Sequence, residues 1–453
     1  MNWRDRLSSR PVRDGLTVWI IVLLTSGQGF RYLLGIPVYA AVCVLSIVAI
    51  AAAFRPTLAT VRLPLPLGAF VSLATLTVLW SSTRAVSVLA VVVLLATTFA
   101  AAVTVRSAGN RRFMVLLYRG FQVSLGLGIL LELVAAFLVR GPIYPPMTDL
   151  TSLTDGKNVV GDDLTWTDGL LLDGGPIQGW VGNRNPFGMI ALLAAVTGVV
   201  VLLEGLVRRA DAALTLLAAG AVHLLTMSAT VTVAALYLAG ITIAAFWIRR
   251  APPGGKKVIS RAVLTLTAVA AVLTIKYRDV IFGVFDRGAD LTNRTEIWRQ
   301  VVAAAEMRPE GWGYVGYWPV WEAPYSGIVE RAGVLATHAH NAFLDTWLQM
   351  GLVGLALLVA IVVLIFGSSW RLVERADRGD TYIPLAWTLL TVAMLLQSLT
   401  ESRILVEGGW YLMVVLFLSA PQVFRLTLVD PSLVHRGTPG RAESEAKGQA
   451  SAD

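Results

Sequence analysis

The chain has 453 residues, of which 56% are apolar and only 15% charged, and its mean hydropathy is +0.69. These values exclude a soluble globular or disordered protein and predict an all-α integral membrane protein. The net charge of +8 lies in short basic clusters rather than in a stripe on a soluble domain, so no nucleic acid partner is implied.

Stretches of about 17 to 25 apolar residues are long enough to cross a bilayer as helices. Twelve are expected, at 15–34, 36–54, 63–80, 85–105, 113–139, 186–207, 212–227, 230–248, 258–275, 342–366, 382–400 and 409–424. No small-residue cleavage site follows the basic N-terminal run before Arg31, so the first stretch reads as an uncleaved span. Cys43, the only cysteine, lies in the second stretch, which excludes a disulfide framework.

The chain then divides into spans one to five (1–139), a first long loop (140–185), spans six to nine (186–275), a large loop (276–341), spans ten to twelve (342–426) and a tail (427–453). The tail's Gly, Ala, Ser, Glu and Lys composition predicts disorder. Arg4, Arg6, Arg10 and Arg13, Arg55 and Arg62, Arg106 to Arg112, Arg208 and Arg209, Arg249 to Arg261, and Arg371 to Arg378 all fall on one side of this topology. By the positive-inside rule that side is cytoplasmic, with both termini inside and both long loops outside. Within the fifth stretch, Arg119 is expected to snorkel to the inner interface. Glu132 is too costly to face lipid and is expected to face a cavity or an arginine.

Two motifs place arginine beside a helix start. In Gly182-Asn183-Arg184-Asn185-Pro186, Pro186 suits the first position of the sixth span and Asn185 its N-cap, so free N–H groups face outward beside Arg184. In Thr292-Asn293-Arg294-Thr295-Glu296-Ile297-Trp298, Asn293 and Glu296 have capping-box spacing, with Arg294 in the first turn and Trp298 one turn on. A cation at a helix N-terminus opposes the dipole, so an anion shared with the N–H groups explains both better than stability does. Trp298, Trp312, Tyr314, Tyr317, Trp318, Trp321 and Tyr325 crowd the large loop, and either anchor it at the membrane surface or stack on sugar faces.

The large loop ends in Thr337-His338-Ala339-His340-Asn341, which opens the tenth span. A continuous helix from His340 would bring Gly351 and Gly354 near the histidine's face and admit a neighbouring helix beneath it. Asp345 would lie about 140° around that helix from His340, which argues against it as the orienting partner. Glu401 and Arg403, at the outer end of the eleventh span, are candidates to support the site or merely to pair with each other. His338 has no assigned role.

Arg294 with Trp298, Gly311-Trp312-Gly313-Tyr314, and His340-Asn341 followed by Gly351-Leu352-Val353-Gly354 resemble the signature of the O-antigen ligase and polymerase superfamily. Gly182-Asn183-Arg184-Asn185 resembles that family's asparagine-rich entry to a middle span. The resemblance implies a bundle of about twelve transmembrane helices with a large extracytoplasmic loop over a lateral cavity. The implied activity is metal-independent glycan transfer from a polyprenyl pyrophosphate donor to an acceptor hydroxyl, with no cofactor. One departure is evident. Where family members often have an arginine after a serine, Ser228 is followed by Ala229 and Thr230. That cation is either missing or supplied by Arg184 or another loop arginine.

The chemistry of the residues agrees with that class. Pyrophosphate departure needs cations, here Arg184 and Arg294, and the acceptor hydroxyl needs a base, here His340. Asn183, Asn185, Trp298, Asn341 and Glu401 support them. With an unperturbed pKa near 6.5, lowered by nearby arginines, His340 is expected to give a rate that falls below about pH 6. Lipid-linked glycan ligase and polysaccharide polymerase share this donor chemistry, and the acceptor is a glycan, a lipid or a protein. A transporter or flippase would instead set its ionisable residues near the bilayer midplane, where few are found.

Overall fold

The computed structural model describes residues 8–58, 63–146, 165–276, 290–331 and 334–419. The tail at 427–453, the acidic part of the first loop with Asp149, Asp155, Asp162 and Asp163, and the start of the large loop lie outside these residues. So do Arg4, Arg6 and Arg62.

The helices are α1 (Arg10–Thr25), α2 (Gly27–Ala53), α3 (Leu65–Leu76), α4 (Arg84–Ala108), α5 (Asn110–Leu133), α6 (Arg184–Leu203), α7 (Arg209–Thr226), α8 (Ala229–Ile248), α9 (Pro253–Lys276), α10 (Asp290–Glu306), α11 (Ala342–Arg375), α12 (Ile383–Ser398) and α13 (Glu407–Ser419). Six described helices have the length and apolar composition to cross a bilayer: Gly27–Ala53, Arg84–Ala108, Asn110–Val139, Arg184–Leu203, Ala229–Ile248 and Ala342–Arg375. Three apolar helices, Leu65–Leu79, Ile383–Ser398 and Glu407–Ser419, are shorter. The first boundary differs from expectation. The chain breaks at Ser26, and Gly35 (φ 75°, ψ 160°) is a kink inside α2 just ahead of Pro37.

Side-chain staples define two ends of the bundle. At one end Arg111 meets Glu204 at 3.0 Å, Arg112 meets Asp14, and Lys256 donates to the Ala376 carbonyl at 2.8 Å. Arg249 there donates to the Asp377 and Asp380 carbonyls, satisfying backbone acceptors between α11 and α12. Arg119 pairs with Asp211 at 2.9 Å rather than standing alone. The opposite end carries the two long connections. Among the described residues Glu132 pairs with no arginine. Its carboxylate accepts from Thr167 Oγ1 (2.9 Å), the Gln178 N–H (3.1 Å) and the Gly179 N–H (2.7 Å), pinning the last part of the first loop to α5. Buried in an apolar bundle, a carboxylate is stable only with donors of this kind.

The segment after α10 folds over a small core of its own. Ile297, Val301 and Ala305 of α10 pack on Val315, Trp318, Tyr325, Ile328, Ala339 and Leu348, and a short antiparallel pair, Val329–Arg331 with Val334–Leu335, completes it. This corrects both readings for five of the seven loop aromatics; Tyr317, like Trp321, is exposed. Tyr314, Trp318 and Tyr325 are buried, and Trp298 and Trp312 are partly so, whereas Trp321 is 71% exposed. Their polar atoms find partners: Trp298 Nε1 on the Ala339 carbonyl, Trp312 Nε1 on Ala304, Tyr314 OH on Leu405. Amphipathic rings with satisfied tips are ordinary core residues.

This small domain is seated on a break in α11. Gly351 has φ 68° and ψ −172°, backbone that a side chain disfavours. The break releases the Leu348 and Gln349 carbonyls, which accept from the Trp312 and Gly313 N–H groups at 2.9 Å each. A Cβ at Gly351 would run into the Pro309 carbonyl. The continuous helix expected from His340 is therefore corrected. What approaches Gly351 is the 309–313 turn, not a neighbouring helix, and Gly354 faces Met350 of its own helix.

Candidate active site

The histidine stretch is held from three sides. Asn341, in extended conformation, caps α11 by accepting from the Phe343 (3.0 Å) and Leu344 (3.2 Å) N–H groups. The carboxylate of Asp345, 0% exposed, accepts from Trp318 Nε1 (2.8 Å), Gln349 Nε2 (2.7 Å) and the Ala339 N–H (3.3 Å). Trp298 holds the Ala339 carbonyl at 2.9 Å. Both groups of the residue before the histidine are thus fixed, and His340 itself is left in a left-handed conformation, φ 48°. A histidine held there costs backbone energy, a common feature of functional positions.

Around it stand His338, Glu401, Arg294 and Arg403. His340 Nδ1 lies 3.8 Å and His338 Nε2 3.9 Å from the same oxygen of Glu401. The His340 N–H donates to His338 Nδ1 at 3.0 Å, which puts the proton of a neutral His338 on Nε2, toward that carboxylate. Arg294 Nη2 is 3.5 Å from the other Glu401 oxygen, with side chains only 13% and 8% exposed. Burial first, then the Arg294 and Arg403 charges, lowers the His340 pKa to about 3. His338 is held well below 6.5 by burial, His340, Arg403 and Arg294, in that order. Both shifts favour neutral imidazoles near pH 7 and put the titration of His340 in the donor-free protein below the pH 6 expected from the sequence.

The structure gathers His340, Asn341, Arg294, Trp298 and Glu401 in one place. Asp345 is indeed not the histidine's partner; the facing carboxylate is Glu401, beyond the end of α12. Arg294 departs from expectation. Helix α10 already includes Asp290, so Arg294 lies past the first turn, and Glu296 bonds Arg299 and Gln300 instead of capping. The side chain of Asn293 lies outside the described set.

Arg184, Asn183 and Asn185 stand apart, at the head of α6. Asn183 is the N-cap, accepting from the Asn185 N–H at 2.9 Å, so Arg184 is the first helical residue and Pro186 the third, where its missing donor is still harmless. Asn185 instead accepts from Ser228 Oγ at 2.8 Å, tying α6 to the turn before α8. Pro186 and Arg403 line one cleft.

Sequence reasoning gave no role to His338, which lacks any motif partner, and left Arg403 as either a support of the site or a partner of Glu401; the structure brings His338 to Glu401 and sets the Arg403 charge in the field of both histidines. His338, His340 and Glu401 lie close enough to share a metal ion, their donor atoms within 4.8 Å of one another. Two guanidiniums in the same neighbourhood oppose a dication and favour an anion.

Residues 212–359 match the O-antigen ligase family model. The chain is also similar to the exopolysaccharide production protein ExoQ of Rhizobium meliloti (strain 1021), 32% identical over 166 residues, which covers 34% of this chain and 37% of that protein. The matched family segment contains Arg294, His338 and His340; Arg184, Glu401 and Arg403 lie outside it.

Proposed function

We propose, from the match of residues 212–359 to the O-antigen ligase family model and the likeness to an exopolysaccharide production protein, that this chain is a polytopic glycosyltransferase of polysaccharide biosynthesis. It moves a glycan from a polyprenyl pyrophosphate carrier to an acceptor hydroxyl at the outer face of the cytoplasmic membrane, without a metal and with inversion. Twelve spans and cytoplasmic termini complete the proposal, supported by the gathering of the basic junctions at one end of the bundle. The observation that carries the reading is the partly buried His340, its pKa held down by burial and by the Arg294 and Arg403 charges, beside Glu401.

In this scheme the acceptor hydroxyl gives its proton to His340 as its oxygen bonds the anomeric carbon. The carbon–oxygen bond to pyrophosphate breaks, and the electron pair leaves with the carrier, stabilised by arginine. With Nδ1 toward Glu401, Nε2 is the basic nitrogen, and Glu401 stabilises the imidazolium that forms. Bound pyrophosphate offsets the Arg294 and Arg403 fields and so raises the basicity of His340 when it is needed.

The relative's name, an exopolysaccharide production protein, favours a growing polysaccharide as acceptor, and hence a polymerase, as the second reading. Reconstituted protein given a polyprenyl pyrophosphate glycan and candidate acceptors, with products weighed by mass spectrometry, tests both. A single addition to a lipid or protein acceptor indicates a ligase, a ladder of repeats a polymerase, and recovery of intact donor alone refutes transfer. In a Cys43→Ser background, a cysteine replacing exposed Trp321 should react with an impermeant reagent in whole cells; protection there with labelling at Lys257 would reverse the topology.

A further inference from the structure

Asp345 and Gln349 lie four residues apart on one face of α11, just ahead of the break at Gly351, and both are 0% exposed. Gln349 Nε2 donates to Asp345 Oδ1 at 2.7 Å, and Trp318 Nε1 donates to the same oxygen at 2.8 Å. Among the described residues the carboxylate forms no ion pair, and N–H groups hold it. A charge kept in such a place costs stability, which points to a role other than folding.

The pair reaches two walls of the site. On one side Asp345 Oδ2 accepts from the Ala339 N–H at 3.3 Å, and the next residue is His340, held at φ 48°. On the other side Gln349 Oε1 accepts from the Val315 N–H at 2.8 Å and the Gly316 N–H at 3.2 Å, while its own carbonyl accepts from the Gly313 N–H at 2.9 Å. Tyr314, inside that stretch, donates its hydroxyl to the Leu405 carbonyl at 2.6 Å. Leu405 belongs to the short connection between α12 and α13 that also carries Glu401. His340 and Glu401 therefore come from separate segments tied to one buried pair, and the 3.8 Å between His340 Nδ1 and the Glu401 carboxylate is set across it. A base and its partner work only when held within roughly 0.5 Å of the productive geometry.

Resting on the glycan-transfer reading, we propose that Asp345 and Gln349 are positioning residues of the reaction, which act through His340 by fixing the histidine segment and the Glu401 connection against one another. Neither touches the reacting atoms.

Asp345→Asn is the selective probe. The amide oxygen in the place of Oδ1 keeps the Trp318 and Gln349 donors, whereas the amide nitrogen in the place of Oδ2 meets the Ala339 N–H donor to donor. In reconstituted glycan transfer its kcat should fall roughly 10- to 100-fold, the loss expected when a reacting group is displaced by about 1 Å. The donor KM should stay within about threefold of wild type, and hydrogen exchange in the peptide spanning 338–341 should speed up. Placed on His340→Ala, the same substitution should cost nothing further, because a positioning residue has no effect once the group it positions is gone. Gln349→Glu keeps the acceptor for Val315 and Gly316 but sets carboxylate against carboxylate; it should also lower kcat, and Asp345→Asn added to it should recover part of the loss. An unchanged kcat in Asp345→Asn, or an equal loss with and without His340, makes Asp345 a structural residue and overturns the proposal. Strictly additive losses for the Asp345 and Gln349 variants overturn the pairing. Trp318→Phe, which keeps a ring and removes one donor to the same carboxylate, should show the same split with a smaller loss; it carries the test if Asp345→Asn does not fold, and wild-type transfer there overturns the proposal too. No transfer by the wild-type protein overturns the glycan-transfer reading itself.

Discussion

Saturation with donor should move the acid limb of the rate upward. In the free protein His340 has its pKa lowered from 6.5 to about 3, which corresponds to roughly 5 kcal/mol in favour of the neutral ring. Burial, the largest cause, persists when donor binds, but the contribution of Arg294 and Arg403 does not. A unit negative charge about 7 Å from the imidazole, at an effective dielectric near 20, stabilises the imidazolium by roughly 2 kcal/mol, or one to two pH units. The profile of kcat/KM reports the free enzyme and that of kcat the complex, so the kcat limb should lie at the higher pH by that margin. Initial rates of glycan transfer from about pH 4 to 8, at limiting and saturating donor, measure both. The sign is fixed by the depressed pKa: the active neutral form is full above it and is lost as pH falls through it. His340→Gln should lose roughly two to four orders of magnitude in kcat. Coincident limbs near pH 6.5, or His340→Gln within a few-fold of wild type with an unchanged profile, would refute the base assignment.

Arg294→Ala and Glu401→Gln should each lower the melting temperature, because each strands the other partner in a largely buried place, and the double variant should recover part of the loss; strictly additive losses would exclude a coupled pair. Gly351→Ala should cost about 1–3 kcal/mol from its disfavoured backbone alone, with more from the Pro309 carbonyl, and a denaturation midpoint equal to wild type would contradict the break in α11. His338→Ala should reduce kcat about tenfold, by freeing the His340 N–H from its acceptor while leaving the base in place; a loss as deep as that of His340→Ala would make His338 the base instead. Transfer should survive EDTA, since the nearby Arg294 and Arg403 charges oppose a dication at His338, His340 and Glu401; loss on chelation and recovery with a divalent ion would assign these three residues to a metal.

Properties that act over one helical turn were legible in the chain alone. Apolar runs of span length, basic residues clustering between alternate runs, and Asn341 capping the helix after His340 all depend on neighbours within a few positions. The position of His340 at a polar-to-apolar boundary beside a capping residue is of the same kind. Tertiary structure decided which charges meet. Glu401, rather than nearby Asp345, faces the histidines, because the break at Gly351 and the folded 290–341 segment turn Asp345 inward to bond Trp318, Gln349 and the Ala339 N–H. Among the described residues Arg294 pairs with Glu401 while Arg403 pairs with no carboxylate, a difference that sequence spacing cannot express. Composition reads the loop aromatics as membrane anchors or sugar platforms, whereas Trp298, Trp312, Tyr314 and Trp318 are packed inside with their polar tips satisfied. Local periodicity reports which face of a helix is apolar, but the partner of a buried charge is set by chain segments that meet only when the bundle closes.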